Sequence, residues 1–192
     1  LVVPGCEYSK GSGFEGHEYF EAASIRKNGD TYYFVYSSIV MHELCYATSK
    51  NPREGFKYGG VIVSNSDMHI DTYKPADMPS AYGANNHGSI EKCGDDWYIF
   101  YHRQTNGTWD SRQVCAEKIK IGSDGKISQV EITSCGLNGG PLVAQGEYPA
   151  HIACNIFNTD KPEMYVGKDQ AKVTTDGRKG DEVPSYIADI TH

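Results

Sequence analysis

The sequence has no cluster of basic residues and no long apolar run. Its net charge is −7 and its pI is near 5.4, which disfavours a nucleic-acid partner because binding phosphates requires clustered Lys and Arg. No apolar stretch approaches the roughly 20 residues that a membrane-spanning helix needs. We therefore expect a protein that binds neither nucleic acid nor a membrane.

The N-terminus also lacks two ordinary features. The chain opens on Leu rather than Met, and LVVPGCEYSK has neither the basic start nor the long apolar stretch of a signal peptide. We therefore expect a chain that has been truncated or matured.

Cysteines are present but form no close pair in sequence. They lie at positions 6, 45, 93, 115, 135 and 154 without a C-x-x-C motif, so a thiolate zinc site is not expected. Cys45 and Cys115 fall on the same strand of two repeats described below, which favours small buried side chains over a disulfide bond. The cysteine pattern therefore does not indicate in which cellular compartment the protein is located.

Helical periodicity is also absent, and the chain contains an internal repeat instead. The segment FEAASIRKNGDTYYFVYSS begins at Phe20, and NHGSIEKCGDDWYIFYHR begins at Asn86. At an offset of 65 positions identical residues coincide, such as Ser24 with Ser89. The same structural unit therefore occurs twice.

Each repeat is predicted to contain four antiparallel strands. The first strands (ASIRK, GSIEK) end at turns with Gly-Asp, and Asn28–Gly29 strongly favours a hairpin because both residues tolerate positive φ. The second strands (TYYFVYSS, WYIFYHR) are apolar at nearly every position, which predicts packing on both faces. The third strands contain HELCYATS and RQVCAEKIKI, and the fourth KYGGVIVSN and KISQVEITS.

Four-stranded units of this kind, recurring about every 65 residues, are typical of β-propeller blades. We predict an all-β fold in which residues 1–140 are the C-terminal part of a propeller, with blades near 16–80 and 81–136. Two blades do not close a ring, so further blades are expected outside this sequence. Residues 141–192 are predicted to be a linker and the start of a β-sandwich, with carbohydrate binding as a candidate role.

Glu21 is the first candidate for chemistry. Its neighbours Glu15 and Glu18 show the ordinary alternative, a solvated surface carboxylate. Glu21 differs because it lies at the mouth of an innermost blade strand, which lines the central channel of a propeller. Small Ala22 and Ala23 behind it leave room for a ligand.

His87 lies at the equivalent mouth of the second repeat, one position out of register with Glu21. A lone His usually makes a structural hydrogen bond, but Gly88 beside it brings the backbone close to the channel. A neutral imidazole binds either a metal ion or a substrate. His87 is therefore a candidate for both roles.

Two further side chains are candidate substrate contacts. Arg112, at the start of the third strand of the second repeat, either hydrogen-bonds sugar hydroxyls or a carboxylate or forms a surface ion pair. Trp109, in the turn TNGTWDS, is placed to stack on a sugar. Asp67, Asp71 and Asp77 lie between the repeats, where we expect solvated carboxylates.

A carboxylic acid near an imidazole in a polar, aromatic-lined pocket suggests glycoside hydrolysis, in which an acid protonates the departing oxygen. A partner carboxylate is not identifiable from the residues themselves.

The repeats resemble glycoside hydrolase family 43, specifically its β-xylosidase and α-L-arabinofuranosidase-like members. The resemblance runs from about Phe14 to Gly140 through YFEAASIRKNGDTYYFVYSS, ELCYATSKNPREGFKYGG, NNHGSIEKCGDDWYIFYHRQ and SRQVCAEKI, in the family's order. It implies a five-bladed propeller that cleaves glycosidic bonds with inversion.

The resemblance also implies residue roles. Glu21 matches the general acid that opens the fourth blade, His87 matches a fifth-blade His near an axial metal, usually calcium, and Arg112 resembles a fifth-blade substrate-binding Arg. The family's general base and a second Asp that raises the pKa of the acid belong to the first and third blades, which nothing here matches. We expect an internal piece of a longer hydrolase, inactive alone and lacking the N-terminal blades of its parent.

The resemblance implies an exo-acting enzyme that removes arabinofuranosyl or xylosyl units from plant polysaccharide or oligosaccharide, with galactofuranosides as a related substrate. A secreted or periplasmic location is expected, with a cytoplasmic one left open. The first alternative is a non-catalytic carbohydrate-binding propeller, in which Glu21 only hydrogen-bonds a hydroxyl. The second is a structural repeat protein without a ligand, which requires Glu21 and His87 to point away from the axis.

Overall fold

Two antiparallel β-sheets form the core of the chain in the structure, which is a computed structural model. It describes residues 2–72, 74–80, 83, 85–104, 112–133, 135–137 and 146–147. No helix within these ranges has the length and apolar character needed to cross a membrane. The predicted linker and β-sandwich at 141–192 lie outside the described residues, apart from positions 146 and 147.

The first sheet contains four strands in sequential order. They are β1 (Tyr19–Asn28), β2 (Thr31–Ser38), β3 (Glu43–Ser49) and β4 (Lys57–Ser64). The β1–β2 hairpin turns at Gly29, which has a φ of 55°, a left-handed value that glycine adopts at little cost. The turn predicted from the sequence is confirmed.

The second sheet contains three strands, again in sequential order. They are β5 (Gly88–Cys93), β6 (Asp96–Gln104) and β7 (Arg112–Ile119). Gly94 makes the β5–β6 turn with a φ of 63°. The all-β prediction and the antiparallel pairing of each hairpin are therefore correct.

Both faces of the first sheet are covered, as its apolar second strand predicts. No residue of β2 is exposed. Along β3, Leu44 and Tyr46 join an apolar cluster shared with the second sheet, whereas Cys45 and Ala47 alternate onto the opposite face. That opposite face packs against the N-terminal segment through Val3, Phe14 and other apolar residues.

The cluster between the sheets is the largest apolar assembly in the described residues. It draws on both sheets and on the segment that follows β7, and its buried members are Tyr33, Val35, Leu44, Tyr46, Ile62, Val63, Ile90, Ile99, Tyr101, Cys115, Ile119, Ile127 and Ile132. Burial of this kind stabilises at about 25 cal/mol per Å² of apolar surface. The two sheets therefore form one packed unit.

The fourth segment of the second repeat does not pair with β7 as a strand. Residues 126–133 make only single bridges, and Val130 bridges in parallel to Val63 of the first sheet. The amide of Val130 donates to the carbonyl of Ile62 at 2.9 Å, while Ile127 and Ile132 are buried between the sheets. The predicted four-stranded second unit is thus three-stranded here, because this segment buries its apolar side chains against the first sheet.

The cysteines behave as the sequence predicts. Cys45 and Cys115 are buried and are not joined by a disulfide bond. Burial, followed by the nearby Glu43 carboxylate, raises the pKa of Cys45 well above its usual value. The thiol therefore remains protonated and acts as a small core side chain.

Gly88 permits the closest approach between the two sheets near the start of β5. A Cβ atom on this residue would overlap the carbonyl oxygen of Phe100 and would lie 2.6 Å from Cδ1 of Leu44 in the first sheet. Neither the backbone oxygen nor the fully buried Leu44 can yield cheaply. Glycine is therefore required at this position.

The N-terminal segment is held to the first sheet by a largely buried ion pair. Nδ1 of His17 lies 2.6 Å from Oε1 of Glu43, whose side chain is fully buried. The hydrogen bond that His17 donates to Glu43 raises the pKa of His17, burial opposes this, and the charges of Glu43 and Glu18 add to the increase. Burial opposes ionisation of Glu43, but the hydrogen bond and charge of His17, the hydrogen bond of Ser38 and the charge of His42 lower its pKa overall.

We predict that Gly88→Ala destabilises the chain by about 1–3 kcal/mol, the usual cost of overpacking a core. Urea unfolding of the full chain measures the change. Gly5→Ala is the matched control, because a Cβ at Gly5 meets only the Tyr19 carbonyl oxygen at 3.8 Å. Equal stability of the two variants would contradict the close approach at Gly88.

We predict that the free energy of unfolding of the metal-free chain is highest between pH 4.5 and 6.5, the ordinary pKa values of Glu and His. The contribution of His17 is complete below 6.5 and is lost as the pH rises through its raised pKa. That of Glu43 is complete above 4.5 and is lost as the pH falls through its lowered pKa. Urea unfolding across this range, in a buffer containing a chelator, measures both losses.

His17→Gln is the control for this pH dependence, because it removes the titrating imidazole. The decline above pH 6.5 should flatten in this variant. An unchanged decline would mean that another group is responsible.

Candidate functional site

Glu21 lies on β1 at an irregularity in the pairing with β2. The register shifts between Tyr19 and Glu21 and again between Glu21 and Ser24, and Ala22 has a left-handed φ of 58°. Such bulges break the regular alternation of side chains and re-aim them, often beside functional sites. The bulge therefore sets the direction of the Glu21 carboxylate.

The structure brings Glu21 and His87 together, as their equivalent places in the two repeats predict. Oε1 of Glu21 lies 2.8 Å from Nε2 of His87, and the side chains are 37% and 38% exposed respectively. The contact is not aligned as a hydrogen bond, so Nε2 of His87 is a buried nitrogen without a hydrogen-bonded partner among the described residues. Both groups therefore retain capacity to bind a ligand.

His102 extends this pair into a row of polar side chains. The rings of His87 and His102 meet edge to face with centroids 5.3 Å apart. Nη1 of Arg112, which is exposed, lies 3.1 Å from Nε2 of His102. Glu21, His87, His102 and Arg112 form a continuous set, which we call the polar row.

The charge state of His102 follows from its neighbours. Burial lowers the pKa of His102 to about 4, and the positive charges of Arg112 and His87 act in the same direction. Because a guanidinium can only donate, Nε2 of the neutral ring accepts from Arg112 and Nδ1 carries the proton. The polar row thus contains a carboxylate, two imidazoles and a fixed positive charge.

His102 is the residue that sequence reasoning missed. The hairpin register pairs Gly88 with Tyr101, and one further step places His102 opposite His87. That register was readable from the Gly94 turn. Trp109, the remaining predicted contact, lies outside the described residues.

Two acidic residues differ from their predicted surroundings. Glu15 is exposed as expected, but Glu18 is only 7% exposed and its Oε2 has no hydrogen-bond partner among the described residues. Asp71 and Asp77 are exposed, whereas Asp67 is fully buried and its Oδ1 accepts the amide of Ile132 at 2.8 Å. Asp67 thus joins its loop to the segment around Ile132, and the sequence alone shows the burial of neither carboxylate.

His87 has the properties of a metal or substrate ligand, although calcium prefers six to eight oxygen ligands. Its Nε2 is buried and lacks a hydrogen-bonded partner among the described residues, and the Glu21 carboxylate lies beside it. Nε2 of His87 can therefore supply one ligand to a metal ion. An axial calcium ion would therefore draw most of its ligands from water or from other parts of the protein.

The chemistry available in the polar row is proton transfer and hydroxyl recognition. A protonated Glu21 can donate to an oxygen, and Arg112 can donate to hydroxyl or carboxylate oxygens. Glu21 is the carboxylate of this row, and glycoside hydrolysis uses two. The second carboxylate would come from elsewhere in the protein.

Comparison with known proteins identifies one relative that matches along nearly the whole chain and others that match part of it. No protein-family model matches it. A xylosidase/arabinosidase of Thermoclostridium stercorarium is 63% identical over 196 residues, which cover 99% of this chain and 41% of that protein. A β-xylosidase of Xylanibacter ruminicola is 31% identical over 117 residues, covering 60% of this chain and 32% of that protein.

A solved structure supports the fold. An arabinoxylan arabinofuranohydrolase of glycoside hydrolase family 43 from Bacillus subtilis superposes on 62% of this chain and 26% of its own, with a TM-score of 0.50 and 24% identity. The resemblance predicted from the two repeats is therefore confirmed: the chain is homologous to part of a protein named xylosidase/arabinosidase, of which it spans about two fifths, and it shares the fold of a family 43 structure.

Proposed function

We propose that this chain supplies the general acid and part of the sugar site of a glycoside hydrolase that removes arabinofuranosyl or xylosyl units. The observation that carries the proposal is the convergence of Glu21 and His87 from two repeats, with 2.8 Å between them. The 63% identity to a protein named xylosidase/arabinosidase supports the same reaction. The substrate is a plant polysaccharide or an oligosaccharide derived from it.

We propose that residues 1–140 are the C-terminal part of a five-bladed propeller and that the two sheets are neighbouring blades of it. Arg26 and Glu91 support this arrangement, because they occupy equivalent positions of the repeats and their side chains pair at 2.7 Å. The first strands of the two sheets thus lie side by side, as inner blade strands do. The remaining blades belong to the longer protein, and residues 141–192 are the linker and the start of a β-sandwich with a carbohydrate-binding role.

In the proposed reaction Glu21 acts first, as a carboxylic acid. Its proton passes to the glycosidic oxygen while the bond from that oxygen to the anomeric carbon breaks. A water activated by a base in another blade attacks the opposite face of the sugar, which inverts the anomeric centre. The resulting Glu21 carboxylate lies against His87, which can stabilise its charge.

The rest of the polar row binds and orients the sugar. Arg112 donates to hydroxyl oxygens, and the neutral ring of His102 holds its guanidinium in place at 3.1 Å. His87 contacts the substrate or supplies one nitrogen to an axial calcium ion, which would polarise nearby oxygens when bound. A secreted or periplasmic location suits an enzyme whose polymeric substrate does not enter cells.

We predict that Glu21→Ala slows hydrolysis of natural oligosaccharides by about 100- to 10,000-fold, the usual contribution of a general acid. The assay uses a complete protein in which this chain replaces the matching part of the Thermoclostridium stercorarium xylosidase/arabinosidase. An aryl glycoside with an acidic phenol should retain much more of its rate, because its leaving group needs little protonation. The deficit should appear in kcat rather than KM.

Glu15→Ala is the control for this measurement, because Glu15 is an exposed carboxylate of the same segment. It should change neither substrate's rate. If Glu21→Ala lowers both rates equally, or alters only KM, Glu21 binds sugar without transferring a proton. That result would favour the non-catalytic carbohydrate-binding propeller.

We predict that His87→Ala in the same complete protein lowers activity and abolishes its response to calcium chelators. The imidazole is half-exposed and belongs to no apolar cluster, so the thermal unfolding midpoint should change little. Rates measured with calcium and with a chelator test the two parts of the prediction. Unchanged kinetics and an unchanged chelator response would leave His87 with a structural role only.

A further inference from the structure

A second group of polar side chains surrounds Glu43 at the start of β3. Oε1 of Glu43 interacts with three donors, namely Nδ1 of His17 at 2.6 Å, Oγ of Ser38 at 2.5 Å and Sγ of Cys45 at 3.3 Å. The side chain of Glu43 is fully buried, yet its second oxygen, Oε2, has no hydrogen-bond partner among the described residues. A buried carboxylate oxygen without a partner is costly, and a cation would satisfy it.

His42 precedes Glu43 and is oriented by a neighbouring strand. The residue is 2% exposed, and its Nδ1 lies 2.9 Å from Oγ of Ser64, which is itself fully buried. An imidazole that donates Nδ1–H to such a partner keeps its Nε2 lone pair free. Histidine ligands of metal ions characteristically have this outer hydrogen bond.

His69 approaches the same place from the segment after β4. Its φ of 70° is left-handed, an uncommon conformation for a residue with a side chain. The loop fixes it there, because its amide donates to the carbonyl of Ala76 at 2.8 Å. The rings of His42 and His69 have centroids 6.2 Å apart.

We propose that His42, Glu43 and His69 bind a zinc ion. One potential ligand atom of each residue lies within 4.8 Å of those of the other two. Two imidazoles and a carboxylate are a donor set that zinc prefers, with a water molecule completing a tetrahedron. Because His69 is exposed, a zinc ion can reach the site from solvent at this residue.

A competing set, His17, Glu43 and Cys45, also lies within ligand distance. It is the weaker candidate because all three residues already hydrogen-bond or contact one another through Oε1 of Glu43. Binding there would break the ion pair that holds the N-terminal segment and would deprotonate a buried thiol. The His42 and His69 set leaves the thiol protonated, and Oε2 of Glu43, which has no hydrogen-bond partner among the described residues, is available to it.

The zinc ion would fasten the turn between β2 and β3 to the segment that follows β4. The carbonyl of His42 accepts the amide of Asn65 at 2.8 Å and Nδ2 of Asn86 at 3.4 Å. Asn86 directly precedes His87, so the ion would stiffen the turn behind the polar row. This site goes beyond the proposed function and does not depend on it.

Zinc binding to the full, untagged chain tests the proposal. The chain is stripped with EDTA and dialysed, and zinc is titrated by calorimetry in competition with a chromophoric chelator. We expect one zinc ion per chain and a higher thermal unfolding midpoint in its presence, because the ion binds the folded state. Ser64→Ala should weaken binding by about 10- to 100-fold, as loss of an outer hydrogen bond usually does.

His69→Ala should abolish binding, and because His69 is exposed the variant should fold, which circular dichroism verifies. His17→Ala removes an outer hydrogen bond of Glu43 and should weaken zinc binding without abolishing it. Cobalt in place of zinc should give an absorption spectrum without a thiolate charge-transfer band.

Each other result overturns the proposal. Binding that survives His69→Ala, binding lost in His17→Ala, or a cobalt–thiolate band would assign the ion to other ligands. No binding under these conditions would mean that Glu43 serves only its hydrogen bonds.

Discussion

Apolar packing between the two sheets is the interaction on which the rest of the structure depends. The shared cluster receives members from both sheets. At Gly88 the sheets approach so closely that a Cβ atom would lie 2.6 Å from Cδ1 of Leu44. His87, which contacts the Glu21 carboxylate, directly precedes this contact.

The polar groups follow from this packing and from strand ends. When two sheets pack face to face, the ends of their strands lie close together. The strand ends and the loops that follow them carry side chains that can bind a ligand. Glu21, His87 and His102 reach one such edge from three strands or their flanks. The group around Glu43 lies close to this edge along β2. Ser38, which donates a hydrogen bond to Glu43, directly follows Ser37, and Ser37 pairs with Glu21.

The sequence predicted what repeats and turns can encode. The offset of 65 positions predicted equivalent hairpins, and with them the meeting of Glu21 and His87. It could not predict that residues 126–133 would leave their own sheet, because an apolar segment of that length fits either partner. Nor did it reveal that Glu18 and Asp67 are buried, since burial of a carboxylate depends on loops distant in sequence. His42 and His69 are 27 positions apart, so a search for closely spaced metal ligands passes over them.

The bulge at Glu21 has a consequence for changes in chain length. The register shifts twice along this stretch, and strand alternation has a period of two, so loss of one residue between Glu21 and Ser24 would remove the second shift and turn the carboxylate toward the opposite face. Homologues that keep the acid should therefore conserve the length of this stretch even where its residues vary. A relative one residue shorter here would keep the sheet and its stability but would no longer direct the Glu21 carboxylate into the polar row.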